Sequence, residues 1–182
     1  MPLPLTEIRK RARKVKLLLM DVDGVLTNGH IYYVPSPKGG FIETKGFHSR
    51  DGLGIRIAHE AGMKTGIVSG RGSPVVDYRI RELGIHFVRQ HFLEKLDPYQ
   101  SILKDAGLSH DAVCYIGDDL VDLPILKRAG LAVGVSNGHP LLRRYVHYVT
   151  RSPGGAGAVR ETIELILAAK GKLKPLLKHY TR

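Results

Sequence analysis

"LLLMDVDGVLTNG", Leu17–Gly29, runs an unbroken apolar stretch into two aspartates one residue apart, Asp21 and Asp23. A continuous aliphatic run reads as a strand buried on both faces, the pattern of a parallel sheet. A pair of close carboxylates has no structural use at the end of such a strand, because like charges raise each other's pKa. The pair makes sense if something positive is to be held there.

The same pattern recurs along the chain. Apolar runs at 15–20, 64–68, 86–88, 112–116 and 131–135 read as buried strands. Between them, helical spacing stops at a glycine: Gly62, Gly84, Gly107 and Gly130. Glycine just past a helix takes the left-handed conformation that closes the last turn. Pro74 and Pro98 stand near helix starts, where the missing N–H costs nothing. Strand, helix, strand with short joints implies parallel pairing and right-handed crossovers, so the fold class is α/β, a three-layer Rossmann-like sheet. The segment 30–47 breaks the rhythm. It follows the turn dipeptide Asn28-Gly29, has "PSPKGG" at its middle, and reads as a β-hairpin flap.

The chain has 182 residues and a formal net charge of +11. The surplus sits at the ends: six basic residues against Glu7 in 1–16, and Lys170, Lys172, Lys174, Lys178 and Arg182 without an acid after 169. The body between is nearly neutral, which argues against nucleic-acid binding as the main function. The organisation expected is a basic N-terminal extension (1–14), one domain (15–171) and a basic C-terminal tail (172–182). Apolar runs are too short for a membrane span. No long apolar segment follows the basic start, so no signal peptide is expected. A single cysteine, Cys114, suits a reducing cytoplasm.

Polar groups collect where strands end. Asp21 and Asp23 follow the first strand, Ser69 and Arg71 the second, Lys95 lies a short loop past the third, and Asp118, Asp119 and Asp122 follow the fourth. In an open parallel sheet these ends line one crevice. Acids gathered there suit one hard divalent cation, and Mg²⁺ takes one or two carboxylates plus water and phosphate oxygens. An ionised Asp21 can then attack phosphorus, and Asp23 can protonate the leaving oxygen and later deprotonate water. Ser69 can donate to the phosphoryl oxygens, and Lys95 brings positive charge to them. Asp119 has either a metal role or a loop hydrogen-bonding role, and Asp122 either a metal role or that of a helix N-cap; a metal role of either is direct or through water.

D21-V-D23-G-V, V-S69-G-R71, Lys95 and G-D118-D119-L-V-D122 resemble, as an ordered set, the four motifs of the haloacid-dehalogenase-like phosphatase superfamily. "DVDGVLTNG", "RDGLGIR", "GIVSGR", "YIGDDLVDLP", "HPLL", "YVT" and "GGAGAVRE" resemble the capless 3-deoxy-D-manno-octulosonate 8-phosphate phosphatases, over roughly residues 15–170. The resemblance implies that Asp21 is nucleophile and metal ligand. Asp23 would be acid/base, with its main-chain carbonyl a ligand, and Asp118 the remaining ligand. It implies substrate contacts at His48, Ser49, Arg50, Asp51, Gly52, Arg56, Arg71, Arg79 and Lys95, with Asp23 alongside. His48 stands where the family usually has Asn, and His91 where a small Gly is common; the hairpin turn carries two prolines. The intervals Asp23–Ser69 and Ser69–Lys95 leave no room for a lid domain, so a symmetric oligomer, a homotetramer by resemblance, is expected to cover the site.

The activity expected is therefore Mg²⁺-dependent hydrolysis of a phosphorylated 3-deoxy-2-keto sugar acid, the eight-carbon one first. The alternatives are a nine-carbon sugar-acid 9-phosphate, a receiver-like phospho-aspartate signalling module, and a silent scaffold. Asp23 argues against the second, since a built-in acid/base hastens loss of the phosphoryl group. The complete acid set argues against the third.

Overall fold

The computed structural model describes residues 3–179. In chain order the elements are α1 (Leu5–Lys14), β1 (Leu17–Met20), β2 (Tyr32–Pro35), β3 (Phe41–Thr44), α2 (Ser49–Glu60), β4 (Lys64–Val68), α3 (Pro74–Leu83) and β5 (Phe87–Arg89). Then follow α4 (Leu96–Ala106), β6 (Val113–Gly117), α5 (Leu123–Leu126), β7 (Leu131–Gly134), β8 (Tyr148–Val149), α6 (Ala158–Ala169) and α7 (Leu173–His179).

Six parallel strands form one sheet in the order β5-β4-β1-β6-β7-β8. The chain adds strands to one side of β1, then crosses to the other side with β6. The order in which strands are added therefore reverses between β1 and β6, the point where open α/β sheets leave a crevice at the carboxyl ends. Alternate residues of β1 feed opposite layers. Leu18 and Met20 pack with Ile8, Ile55, Ala58, Ile163 and Ile166 of α1, α2 and α6. Leu17 and Leu19 pack with Tyr99, Ile102, Ile125 and Leu126 of α4 and α5. That period-two partition is why the strand is apolar at every position.

The expected hairpin is present. β2 and β3 pair antiparallel from Tyr32↔Thr44 to Pro35↔Phe41, and a Thr27↔Phe47 bridge ties their base to the loop after β1.

Both basic end segments carry a helix. Within the basic N-terminal segment, Leu5–Lys14 form a helix that packs on the domain. α1 buries Ile8 and Ala12 against the core, and Arg11 and Arg13 donate to the carbonyls of Gly130 and Ala169. The apolar stripe is only these i, i+4 positions, and the basic residues around it mask it. In the 172–182 tail, α7 rests Leu173 and Leu176 on the core, and Lys172 Nζ donates to Ala61 O at 2.7 Å. Residues 1–2 and 180–182 of these two segments lie outside the described residues. The helical segment expected to stop at Gly130 is only the four residues of α5, preceded by a 3₁₀ turn at Leu120–Asp122.

Candidate active site

Asp21 leaves the end of β1 with its N–H donating to Ile116 O at 3.1 Å, so adjacent strands β1 and β6 present Asp21 and Asp118 side by side. Carboxylate oxygens of Asp21, Asp118 and Asp122 lie within 4.8 Å of one another. The three do different work. Both Asp122 oxygens are committed: Oδ1 accepts from Lys95 Nζ (2.7 Å) and Tyr115 Oη (2.6 Å), and Oδ2 from the N–H groups of Asp118 (2.9 Å) and Asp119 (3.2 Å). Asp122 thus braces the Gly117–Asp119 turn, and the Asp119 side chain caps the following 3₁₀ turn. Asp118 Oδ1, by contrast, is buried without a hydrogen-bond partner. Buried polar oxygens are seldom left so unless an ion or water completes them. Asp21 and Asp118 therefore fit a divalent cation.

Gly24 is required here. It sits at φ +85°, and a Cβ added to it would lie 2.0 Å from Asp118 Oδ2. The glycine-rich 154–157 stretch packs on the same loop: Gly155 N–H donates to Val25 O at 2.9 Å.

Lys95 is buried with Nζ 2.9 Å from Asp21 Oδ2, so one ammonium bridges Asp21 and Asp122. Ser69, also buried, directly follows β4, and its Oγ accepts from Arg71 N–H at 3.3 Å. A cavity of about 260 Å³ opens over these groups, lined by Asp21, Asp23, Gly29, Ser69, Gly70, Arg71, Leu93, Lys95, Asp118, Asp119 and Val121.

Burial pushes the Asp21 carboxyl up to about 6 although Lys95 opposes it, and burial with the neighbouring Asp21 and Asp122 charges pushes Asp118 up to about 8. Burial works to lower the Lys95 ammonium, but Asp122 and Asp21 hold it above its usual value. The raised carboxyls give a prediction. Their contribution to stability is full below the ordinary carboxylate pKa and is lost as pH rises through about 6 and about 8. A divalent cation competes with protons for the same oxygens. The rise in Tm given by Mg²⁺ should therefore be small near pH 5.5 and grow steadily to about pH 8.5. Thermal melts with Mg²⁺ or with EDTA across that range check it. A Mg²⁺ effect that shrinks with rising pH would contradict this assignment.

Of the residues expected from sequence, Asp21, Asp23, Ser69, Arg71, Lys95 and Asp118 meet at this cavity. The others do not. Ser49, Gly52, Arg56 and Arg79 line a separate depression of about 220 Å³. Arg50 lines another, of about 410 Å³. His48 precedes α2, its Nδ1 3.9 Å from Asp51 Oδ2. Asp51, expected among the substrate contacts, points into the protein. Its side chain is 1% exposed, and its carboxylate accepts from Gly157 N–H (3.1 Å) and Arg160 N–H (2.7 Å), tying α2 to the start of α6. Sequence reasoning also missed Lys45, which donates to Asp23, Glu43, which lies beside Lys45, and Tyr115, which donates to Asp122. His91 has φ +67°, the left-handed region, which gives a physical reason for glycine at the matching family position.

Residues 82–161 match the model of the haloacid dehalogenase-like hydrolases. The chain is 40% identical over 167 residues to the 3-deoxy-D-manno-octulosonate 8-phosphate phosphatase of Escherichia coli K12, covering 92% of this chain and 87% of that one. Its fold is similar to a crystal structure of the Moraxella catarrhalis 3-deoxy-D-manno-octulosonate 8-phosphate phosphatase in complex with magnesium ion, phosphate ion and KDO (TM-score 0.91, 38% identity, 97% and 99% of the two chains). It is also similar to the Yersinia pestis 3-deoxy-D-manno-octulosonate 8-phosphate phosphatase (TM-score 0.87, 41% identity, 92% and 89%). The chain belongs to the 3-deoxy-D-manno-octulosonate 8-phosphate phosphatase family of haloacid dehalogenase-like hydrolases.

Proposed function

We propose that this chain hydrolyses 3-deoxy-D-manno-octulosonate 8-phosphate to the free sugar acid and inorganic phosphate. The observation that carries the reading is the placement of Asp21: beside the unpartnered Asp118 oxygen, 2.9 Å from Lys95, at the floor of an open cavity that Asp23 also lines. The 40% identity to relatives named for this reaction supports the same substrate.

In this reading an Asp21 oxygen attacks phosphorus, the bond from phosphorus to the sugar oxygen breaks, and Asp23 gives that oxygen its proton. Asp23, now the base, takes a proton from water, which attacks the aspartyl-phosphate; the bond to Asp21 breaks and phosphate leaves. Ser69 Oγ and Lys95 Nζ hold the phosphoryl oxygens as charge builds on them. Asp21, Asp118 and the Asp23 carbonyl would hold Mg²⁺, which when bound supplies positive charge against carboxylate and phosphoryl oxygens.

The guanidinium of Arg71, half exposed at the cavity, suits a sugar-acid carboxylate. His48, Ser49, Arg50, Gly52, Arg56 and Arg79 serve the substrate only if another copy carries them to the cavity. The hairpin exposes Tyr32, Tyr33, Val34, Phe41 and Ile42, an apolar load that suits burial by another subunit. A homotetramer, with 30–47 as the cover in place of a cap domain, meets both needs. A buried, unpaired Cys114 fits work in the cytoplasm; no helix among the described residues is long and apolar enough to cross a membrane.

Phosphate release from eight- and nine-carbon sugar-acid phosphates and hexose phosphates, with Mg²⁺ or EDTA, tests the reading. The eight-carbon substrate with Mg²⁺ should be fastest. Preference for a hexose phosphate without a carboxylate, or equal rates in EDTA, would contradict it. A monomeric mass by light scattering under active conditions would remove the shared-site part.

A further inference from the structure

Lys45 is a buried lysine whose hydrogen bonds go to one carboxylate. Its side chain is 1% exposed, and its Nζ donates to both oxygens of Asp23, at 2.7 and 2.9 Å. It stands just past the end of β3, between the hairpin and the Thr27↔Phe47 bridge. A second layer backs it. Glu43 Oε1 lies 3.4 Å from Lys45 Nζ, while Glu43 Oε2 accepts from Arg71 Nη2 at 2.8 Å. Arg71 Nε in turn lies 3.9 Å from Asp23 Oδ2. Hairpin, acid/base loop and the β4 loop are thus tied together through one carboxylate.

A plain anchor for the hairpin would not need this arrangement. A buried ion pair contributes little more stability than well-packed apolar groups would. Asp23 also faces the cavity, with 22% of its side chain exposed, whereas Lys45 does not line it. A cation behind the carboxylate, gripping both oxygens, fixes the side-chain torsions and leaves the outward face to the substrate. The local backbone supplies no such lock, since the turn after Asp23 is built on Gly24 at φ +85°.

We propose that Lys45 is a positioning residue: it fixes the Asp23 carboxylate toward the leaving oxygen, so that seating of the hairpin is a condition of proton delivery. The proposal rests on the reading of Asp23 as acid/base. A misplacement of about 1 Å at a reacting group can cost roughly 100-fold.

The test compares an ester whose leaving oxygen needs a proton with one whose leaving group does not. Lys45→Met is assayed for kcat/KM, which covers the steps through leaving-group departure, on 3-deoxy-D-manno-octulosonate 8-phosphate and on p-nitrophenyl phosphate. Lys45→Gln, which can still donate one hydrogen bond, is made in parallel in case Met does not fold. We expect a fall of about 30-fold or more on the sugar ester and less than about 3-fold on the aryl ester. Asp23→Asn should show the same selectivity, and adding Lys45→Met to it should lower neither substrate further. Equal losses on both esters, or losses that multiply with Asp23→Asn, would overturn the role of Lys45. If Asp23→Asn itself fails to discriminate the esters, the acid/base reading falls first and the proposal with it.

Discussion

Asp21→Asn should fold normally and release phosphate at least about 10⁴-fold more slowly than the parent, the scale of losing a nucleophile. The carboxamide oxygen can keep the 2.7 Å hydrogen bond from Val22 N–H. Its amide nitrogen, however, cannot attack phosphorus, and at the position 2.9 Å from Lys95 Nζ it would set donor against donor. Removing one of the close carboxylates also removes a charge that pushes Asp118 up to about 8. The metal-free variant should therefore melt no lower than the parent and at neutral pH slightly higher, since a buried repulsion is relieved. Loss of activity with stability kept marks a group placed for chemistry at a cost to the fold. A variant within tenfold of the parent, or one that unfolds, would contradict this.

Lys95→Met should damage both stability and rate. The ammonium is the shared partner of Asp21 (2.9 Å) and Asp122 (2.7 Å), with 1% of its side chain exposed. Taking it away leaves two buried carboxylates without their cation, a change that costs about 3–5 kcal/mol. For a chain of this size that lowers Tm by roughly 10 °C. Asp122 keeps its bonds from Tyr115 and two main-chain N–H groups, so the turn that carries Asp118 should survive. The rate should fall by a further factor of about 10²–10³ when measured at a temperature where the variant is folded, because positive charge beside the transferred group is lost. Calorimetry with phosphate-release assays checks both halves. An unchanged Tm with activity within tenfold of the parent would mean the ammonium is a bystander.

The sheet was legible because its strands are buried on both faces: Leu17–Met20 and Val113–Gly117 each meet two helical layers, so periodicity and glycine stops were enough. The 2-residue β8 was missed; Tyr148 and Val149 are half-buried at the sheet edge and too few to show a pattern. α1 was hidden by its own charge, since Ile8 and Ala12 are the stripe that packs. At the site, what lay at strand ends was readable, because the topology alone brings Asp21, Ser69 and Asp118 together. What depends on side chains crossing between segments was not. Lys45 reaches Asp23 across 22 residues of hairpin, and Asp122 receives Lys95 across 27. Nor does local sequence reveal that Asp51 turns inward to cap α6, or that Arg79 and α2 residues line a depression separate from the Asp21 cavity.

The central claim is that strand ends place Asp21 to take the phosphoryl group onto its own carboxylate. A single turnover with substrate labelled at phosphorus, quenched in acid within milliseconds and digested for mass spectrometry, tests it most directly. Phosphate bound to the peptide bearing Asp21, appearing and decaying within one turnover, is the predicted result. Label on another residue, or turnover with no phosphorylated peptide in a Mg²⁺-loaded enzyme quenched throughout the burst, would contradict it.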